Sequence, residues 1–256
     1  MRRMISLMLA TTMFLGTGLR AAASGTIEVG STDVTANYVA GEAGGQIISV
    51  DIKWEGMSFT YNGESAPSWN PETHEYDEGR SAGWDESTAY IAIINHSNVI
   101  LQAGINYTGE PDYPDMDLLF TDRNPFVGSA ETSEGVGEKC EVIIRSIPSG
   151  ELPADTKTDA KVGQIKVTVT PVEYLTAFGT LEERYSEVPV KSDALSRGAV
   201  YYETETDYAA VIAAYDHVAE VDADPDSGVP EKNLALNKLI MAYYNQMHLM
   251  QEQPEN

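Results

Sequence analysis

From residue 26 to 170 the chain alternates apolar and polar residues with a period of two, and that repeat commits it to strands that bury one face. Ile27 and Val29 open the pattern, followed by Val34, Ala36 and Tyr38. Ile48, Val50, Ile52 and Trp54 share one face while Ser49, Asp51 and Lys53 share the other. Met57, Phe59 and Tyr61 repeat it after Gly56, then Ile91 and Ile93, then Val99, Leu101, Ala103, Ile105 and Tyr107. Ile165, Val167 and Val169 against Lys166, Thr168 and Thr170 form the last clear run. Seven or more short strands, punctuated by Gly, Pro, Asn and Asp, predict a mainly β fold, an antiparallel Ig-like β-sandwich. The absence of strand-helix-strand alternation argues against a nucleotide-binding α/β fold.

Two long insertions, 62–88 and 108–138, interrupt the strands, and loops of that length are usually functional or mobile. Past Pro171 the period changes to that of helices. Residues 207–220 place Tyr208, Val211, Ile212, Tyr215 and Val218 on one face, with Thr206 as the expected N-cap. Residues 231–251 place Leu236, Leu239, Ile240, Tyr243 and Met247 on one stripe, with Pro230 near the start. The turn 221–229 joins the two, giving an αα-hairpin or a calcium-type hand, while 171–205 reads as irregular. The expected division is a signal peptide at 1–23, a β-sandwich domain at 24–170 and a helical C-terminal region at 171–256.

The signal peptide rests on Arg2 and Arg3, an apolar run from Ile5 to Leu19, and a small-residue cleavage site at Ala21-Ala22-Ala23. Its apolar run is shorter than the roughly 20 residues a spanning helix needs. No other stretch is suited to crossing a bilayer, so the expected location is secreted, extracellular or cell-surface associated, with no membrane span after cleavage. Cleavage would remove Arg2, Arg3 and Arg20 and no acid, so 16 basic residues fall to 13 against 40 acidic, a net charge of −27. A field of that sign repels nucleic acid and anionic lipid and favours solubility and cations. The chain has one cysteine, Cys140, so no internal disulfide forms. Its parity with Val142 and Ile144 assigns it to a buried face as a small hydrophobe.

Three segments hold residues suited to binding. In the first insertion, Trp69, His74, Tyr76 and Trp84 stand among Asn70, Glu72, Glu75, Asp77 and Glu78. Aromatic faces flanked by carboxylates and amides can stack a sugar ring and hydrogen-bond its hydroxyls. The competing reading folds those rings back over the sheet edge, with Asn70-Pro71 making a turn. The segment Asn95-His96-Ser97-Asn98 has the composition of a tight turn between strands. Asn95-His-Ser and Asn106-Tyr-Thr also match the glycosylation acceptor pattern. Asp222, Asp224 and Asp226 then supply oxygens at positions 1, 3 and 5 of a loop, Val229 sits at position 8 and Asn233 at position 12. That spacing suits calcium, which takes six to eight oxygens. Glycine falls at position 7 instead of 6, and Asn replaces the acid at position 12; the alternative is a capped acidic turn between helices. No catalytic signature is present, so no enzyme activity is expected.

Two resemblances attach to these residues. Trp54-x-x-Met57-x-Phe59-x-Tyr61, then Trp69-x-Pro71-x-Thr73-His74-x-Tyr76, Trp84 and Asn95-His-Ser-Asn98, resemble uncharacterised secreted β-sandwich proteins of Gram-positive bacteria over about residues 26–170. This likeness implies an extracellular or surface location. Asp222-x-Asp224-x-Asp226 with Val229 and Leu234-x-Leu236-x-Lys238 resembles one calcium repeat of a dockerin. That second likeness implies Asp222, Asp224, Asp226 and Asn233 as calcium ligands. A second intact loop is missing, since Leu195 and Arg197 stand where oxygens belong in 193–204. The resulting expectation is a non-catalytic extracellular binding or adhesion protein whose partner is a protein or a glycan. The alternative is a carbohydrate-binding module or a component of a glycan-degrading system.

Overall fold

The computed structural model describes residues 27–29, 35–37, 46–77, 79–130, 139–193 and 200–250. The expected signal peptide, 1–23, lies outside them. Within them the strands run β1 (Ile27–Val29), β2 (Thr35–Asn37), β3 (Ser49–Glu55), β4 (Tyr61–Asn62), β5 (Ser68–Asn70), β6 (Glu75–Asp77), β7 (Gly83–Trp84), β8 (Ala89–Asn95), β9 (Ile100–Gly109), β10 (Asp117–Phe120), β11 (Phe126–Val127), β12 (Cys140–Ser149) and β13 (Gly163–Val172). Helix α1 (Tyr174–Arg184), strand β14 (Val200–Tyr202), helices α2 (Glu205–Ala223) and α3 (Val229–Gln246) and strand β15 (Met247–Leu249) complete the chain. Among the described residues it is a mainly β protein of antiparallel sheets with three α-helices.

Two sheets dominate. One has the order β1-β13-β9-β11 and the other β10-β12-β8-β3-β2. Their registers bring the period-two apolar positions together. Ile91 lies between Trp54 and Ile144, Ile93 between Ile52 and Val142, and Val167 opposite Ile105. These side chains belong to one hydrophobic cluster, which also takes in Ala177 and Leu181 of α1, Val211 and Val218 of α2 and Leu236, Leu239 and Ile240 of α3. Cys140 is buried there as the alternation requires.

The turn between β8 and β9 is a polar knot. Asn95 is fully buried; its Nδ2 donates to the carbonyls of Val99 and Gly128 at 2.8 Å, and its Oδ1 accepts the Ser97 N–H. Ser97 Oγ accepts the Ser49 N–H, and Asn98 Oδ1 accepts the Ile47 N–H. The Asn-His-Ser-Asn run therefore ties β3, β8, β9 and the segment after β11 together. Burial also removes Asn95 as a glycan acceptor, while Asn106 is exposed.

Strand β12 runs past the end of β10, which pairs only with Ser146–Ser149. On that side the backbone groups of Glu141, Ile143 and Arg145 lack a strand partner. Asn245, at the end of α3, supplies one: its Oδ1 accepts the Ile143 N–H at 2.9 Å and its Nδ2 donates to the Glu141 carbonyl at 3.2 Å. The Arg145 N–H donates to Thr121 Oγ1, and its carbonyl accepts the Thr121 N–H. The Arg145 guanidinium reaches back to the carbonyls of Asn245 and Met247, orphaned where α3 stops. Helix α3 therefore completes a sheet edge, and its close seat explains Gly128: a Cβ there would stand 1.8 Å from Asn237 Oδ1.

Several sequence expectations need correction. The N-cap of α2 is Thr204, not Thr206; its Oγ1 accepts the Asp207 N–H while Asp207 accepts the Thr204 N–H, a reciprocal capping box. Helix α3 ends at Gln246, and the residues after it turn into β15, which pairs with β14. The stretch 171–205 holds α1 and β14 instead of being irregular, and the insertion 108–138 holds β10 and β11. Met57 and Phe59 lie in an irregular link between β3 and β4, not in a strand.

Asn245→Ala should lower unfolding stability by about 2–3 kcal/mol, since it leaves two backbone groups on the β12 edge unpaired. Gly128→Ala should cost more, because backbone or helix must move apart. Urea midpoints of the two variants against wild type measure both.

Candidate functional site

The first insertion forms a projecting β-hairpin. β4 pairs with β7 through Tyr61↔Trp84 and Asn62↔Gly83, Ser65 bridges Arg80, and β5 pairs with β6 through Ser68↔Asp77, Trp69↔Tyr76 and Asn70↔Glu75. We call this two-stranded segment, 61–84, the arm. Its tip is a four-residue turn set by Asn70, whose Oδ1 accepts the Glu72 N–H and whose carbonyl accepts the His74 N–H. His74 takes φ 59°, the left-handed conformation that closes the turn. The arm's described residues between Gly63 and Ala82 are exposed almost throughout.

The structure separates the four aromatic residues singled out from sequence. Trp69 and Tyr76 are 50% and 69% exposed, with ring centroids 5.2 Å apart and planes at 64°. The His74 ring lies 6.2 Å from Trp69. Those three share the arm tip. Trp84 does not join them; it is half-buried at the arm base, where its Nε1 donates to the Gly150 carbonyl at 2.8 Å and its ring packs edge-on against Phe59 and Tyr61. Trp84 is thus folded in at the arm base, while Trp69 and Tyr76 stand open to solvent.

Beside the arm base lies a feature the sequence reading missed, an apolar cleft of about 510 Å³. Trp54, Met57, Phe59, Tyr107, Met116 and Leu118 line it, and Lys161 stands at its rim. Tyr107 fixes one wall: its hydroxyl donates to the Val162 carbonyl at 2.9 Å, and its ring covers Gly163, where any Cβ would collide at 2.4 Å. Burial, with Asp117 and Glu110 nearby, pushes the Tyr107 phenol up to about 12, so it stays a neutral donor. Lys161 pairs with Glu110. The hint in sequence was Trp54-x-x-Met57-x-Phe59 at a strand end, large apolar residues that resume on the opposite parity after the Gly56 break.

At the 222–233 turn, Asp222 pairs with Lys232 at 3.0 Å. Asp224 accepts the Asp226 N–H and the Ser227 hydroxyl, and Asn233 is buried on α3. Among the described residues no group of three or more His, Cys, Asp or Glu side chains gathers as a metal would need. Cys140 is sealed: its sulfur accepts the Gly128 N–H, and burial pushes its thiol up to about 12. Among the described residues no helix is long and apolar enough to cross a membrane.

The chain matches no family model, no curated protein and no solved structure.

Replacing the rings should separate anchoring from contact. Trp84→Ala should cost about 2–4 kcal/mol through a lost hydrogen bond and a lost packing surface. Trp69→Ala and Tyr76→Ala should stay within about 0.5 kcal/mol of wild type. Thermal unfolding of the three variants decides.

Proposed function

We propose that this chain is a non-catalytic secreted or cell-surface binding protein, built on an Ig-like β-sandwich, that contacts an extracellular partner through its arm. The observation that carries this reading is the Trp69–Tyr76 pair, two large rings held in register across a hairpin and left open to solvent. Exposed large aromatics paired across a ladder offer large contact area, which is how binding surfaces use them. The Ig-like reading draws on the two antiparallel sheets and their common cluster. The secreted location draws on the N-terminal segment and the acidic composition. The reading is non-catalytic because the exposed groups suit contact, and the one thiol is buried and protonated.

A glycan partner is the second reading, favoured by the amide and carboxylates of Asn70, Glu72 and Glu75 beside the rings. Planes at 64° do not make a flat platform, so this reading concerns a sugar ring held in the angle, not a crystalline polysaccharide face. Retention of the mature chain on immobilised soluble polysaccharides, lost in Trp69→Ala and Tyr76→Ala, would select the glycan. Retention on none of a broad panel would select a protein partner.

Calcium belongs to the same proposal as a stabiliser of the α2–α3 turn, with Asp222, Asp224, Asp226 and Asn233 as ligands. Binding there requires Lys232 to release Asp222. Thermal unfolding of the mature chain should then rise with calcium over chelator, and Lys232→Ala should enlarge the rise. An unchanged midpoint in both proteins removes calcium from the reading.

A further inference from the structure

We infer that a second pocket, where the ends of α1 and α3 meet the chain leaving β10, binds a free α-amino acid with an apolar side chain. This site is separate from the arm and does not depend on the arm being a binding element.

The pocket measures about 370 Å³, within the range of small-molecule sites. Segments far apart in sequence converge on it. Thr121 and Asp122 follow β10, Arg184 ends α1, Glu187 belongs to the turn Tyr185–Glu187 beyond it, and Tyr243 comes from the last turn of α3.

Tyr243 is the group that packing does not explain. It is 5% exposed and lines the pocket, yet its hydroxyl has no hydrogen-bond partner among the described residues. A buried hydroxyl left unpaired costs free energy, and a phenylalanine would fill the same space without that cost. Burial, then Asp122, raises the phenol above its ordinary range, which keeps it a neutral donor. Arg184 and Glu187 also act on that phenol, so both stand within reach of one small ligand.

Two further donors face the same space. Arg184 Nη1 donates to Asp122 Oδ2 at 3.2 Å, and the other N–H groups of the guanidinium are unpaired among the described residues. Thr121 Oγ1 accepts the Arg145 N–H, and its own proton has no acceptor there. A guanidinium with two hydroxyls beside it matches a carboxylate. The acidic side differs: Asp122 is held by Arg184 and by the Asn124 N–H, whereas Glu187 is exposed and pairs with no cation among the described residues. That carboxylate matches an ammonium. Val188, Val200 and Met247 supply the apolar wall, and methionine adapts its shape to what it meets.

The three matches together define the ligand class. One positive and two negative side chains line the pocket, so a dicarboxylate would be repelled. A simple amine would leave the Arg184 and Tyr243 donors unused. An α-amino acid answers the donors with its carboxylate, Glu187 with its ammonium and the wall with its side chain.

Thermal unfolding of the mature chain with each standard amino acid in millimolar excess tests this, followed by calorimetry on those that raise the midpoint. Apolar members such as L-leucine and L-methionine should raise it. Their amides, which lack the carboxylate, and their N-acetyl derivatives, which lack the ammonium, should each bind about tenfold more weakly or worse. Tyr243→Phe keeps the ring and should weaken binding of the parent amino acid by about tenfold, as should Glu187→Gln. Should Tyr243→Phe fail to fold, Glu187→Gln, at an exposed position, carries the test. Trp69→Ala/Tyr76→Ala should bind as wild type does. No shift with any amino acid overturns the inference. So does an amide or an N-acetyl derivative that binds as well as its parent, or full affinity in both Tyr243→Phe and Glu187→Gln. Binding lost in the arm variant would move the site to the arm and overturn it too.

Discussion

Strand β12 would be an open edge over Glu141–Arg145 without the amide of Asn245. Unpaired backbone groups in a partly buried place are costly, and an exposed edge invites pairing with other chains. One side chain on α3 meets both needs by presenting the donor and acceptor a neighbouring strand would have offered. Arg145 then holds the end of that helix through its last carbonyls, so sheet edge and helix end satisfy one another. The close approach at Gly128, the buried Asn237 and the contact from the Phe126 N–H to the Tyr244 hydroxyl follow from this seating. Helix α3 is consequently buried on more than one side, with α2 packed over it.

The long strands were legible because inward residues obey one parity for seven or more positions, as in β3, β8, β9, β12 and β13. The two longer helices were legible for the same reason at a different period. What escaped was set by contacts distant in sequence. β11 is two residues long and exists because Phe126 and Val127 meet Gln102 and Leu101. α1 has no acid in its first turn and no side-chain cap, and only Ala177 and Leu181 are buried, so its sequence announces little. The end of α3 is decided by Arg145, a hundred residues earlier.

For the candidate site the lesson is similar. The residue types of the arm were evident, yet nothing local distinguishes Trp84 from Trp69. Trp84 is committed by the carbonyl of Gly150, which takes φ 79° and comes so near Asp115 that no side chain fits there. Trp69 has no equivalent and remains outside. The cleft draws walls from four separated stretches, and such convergence is a property of the folded sheets alone.

The arm is the connection between β3 and β8, the fourth and third strands of the five-stranded sheet counted from β10, with Gly56 at φ 72° releasing the chain where the two leave it. A load applied at the tip therefore pulls β3 and β8 together, lengthwise, past β2 and β12. The β8–β12 ladder resists over seven residue pairs, Cys140↔Asn95 to Ser146↔Ala89, with its hydrogen bonds lying across the direction of pull. Such bonds are strained all at once in shear and do not open one by one like a zipper. Traction on the arm is thus borne by the middle of the sheet and not by its edges.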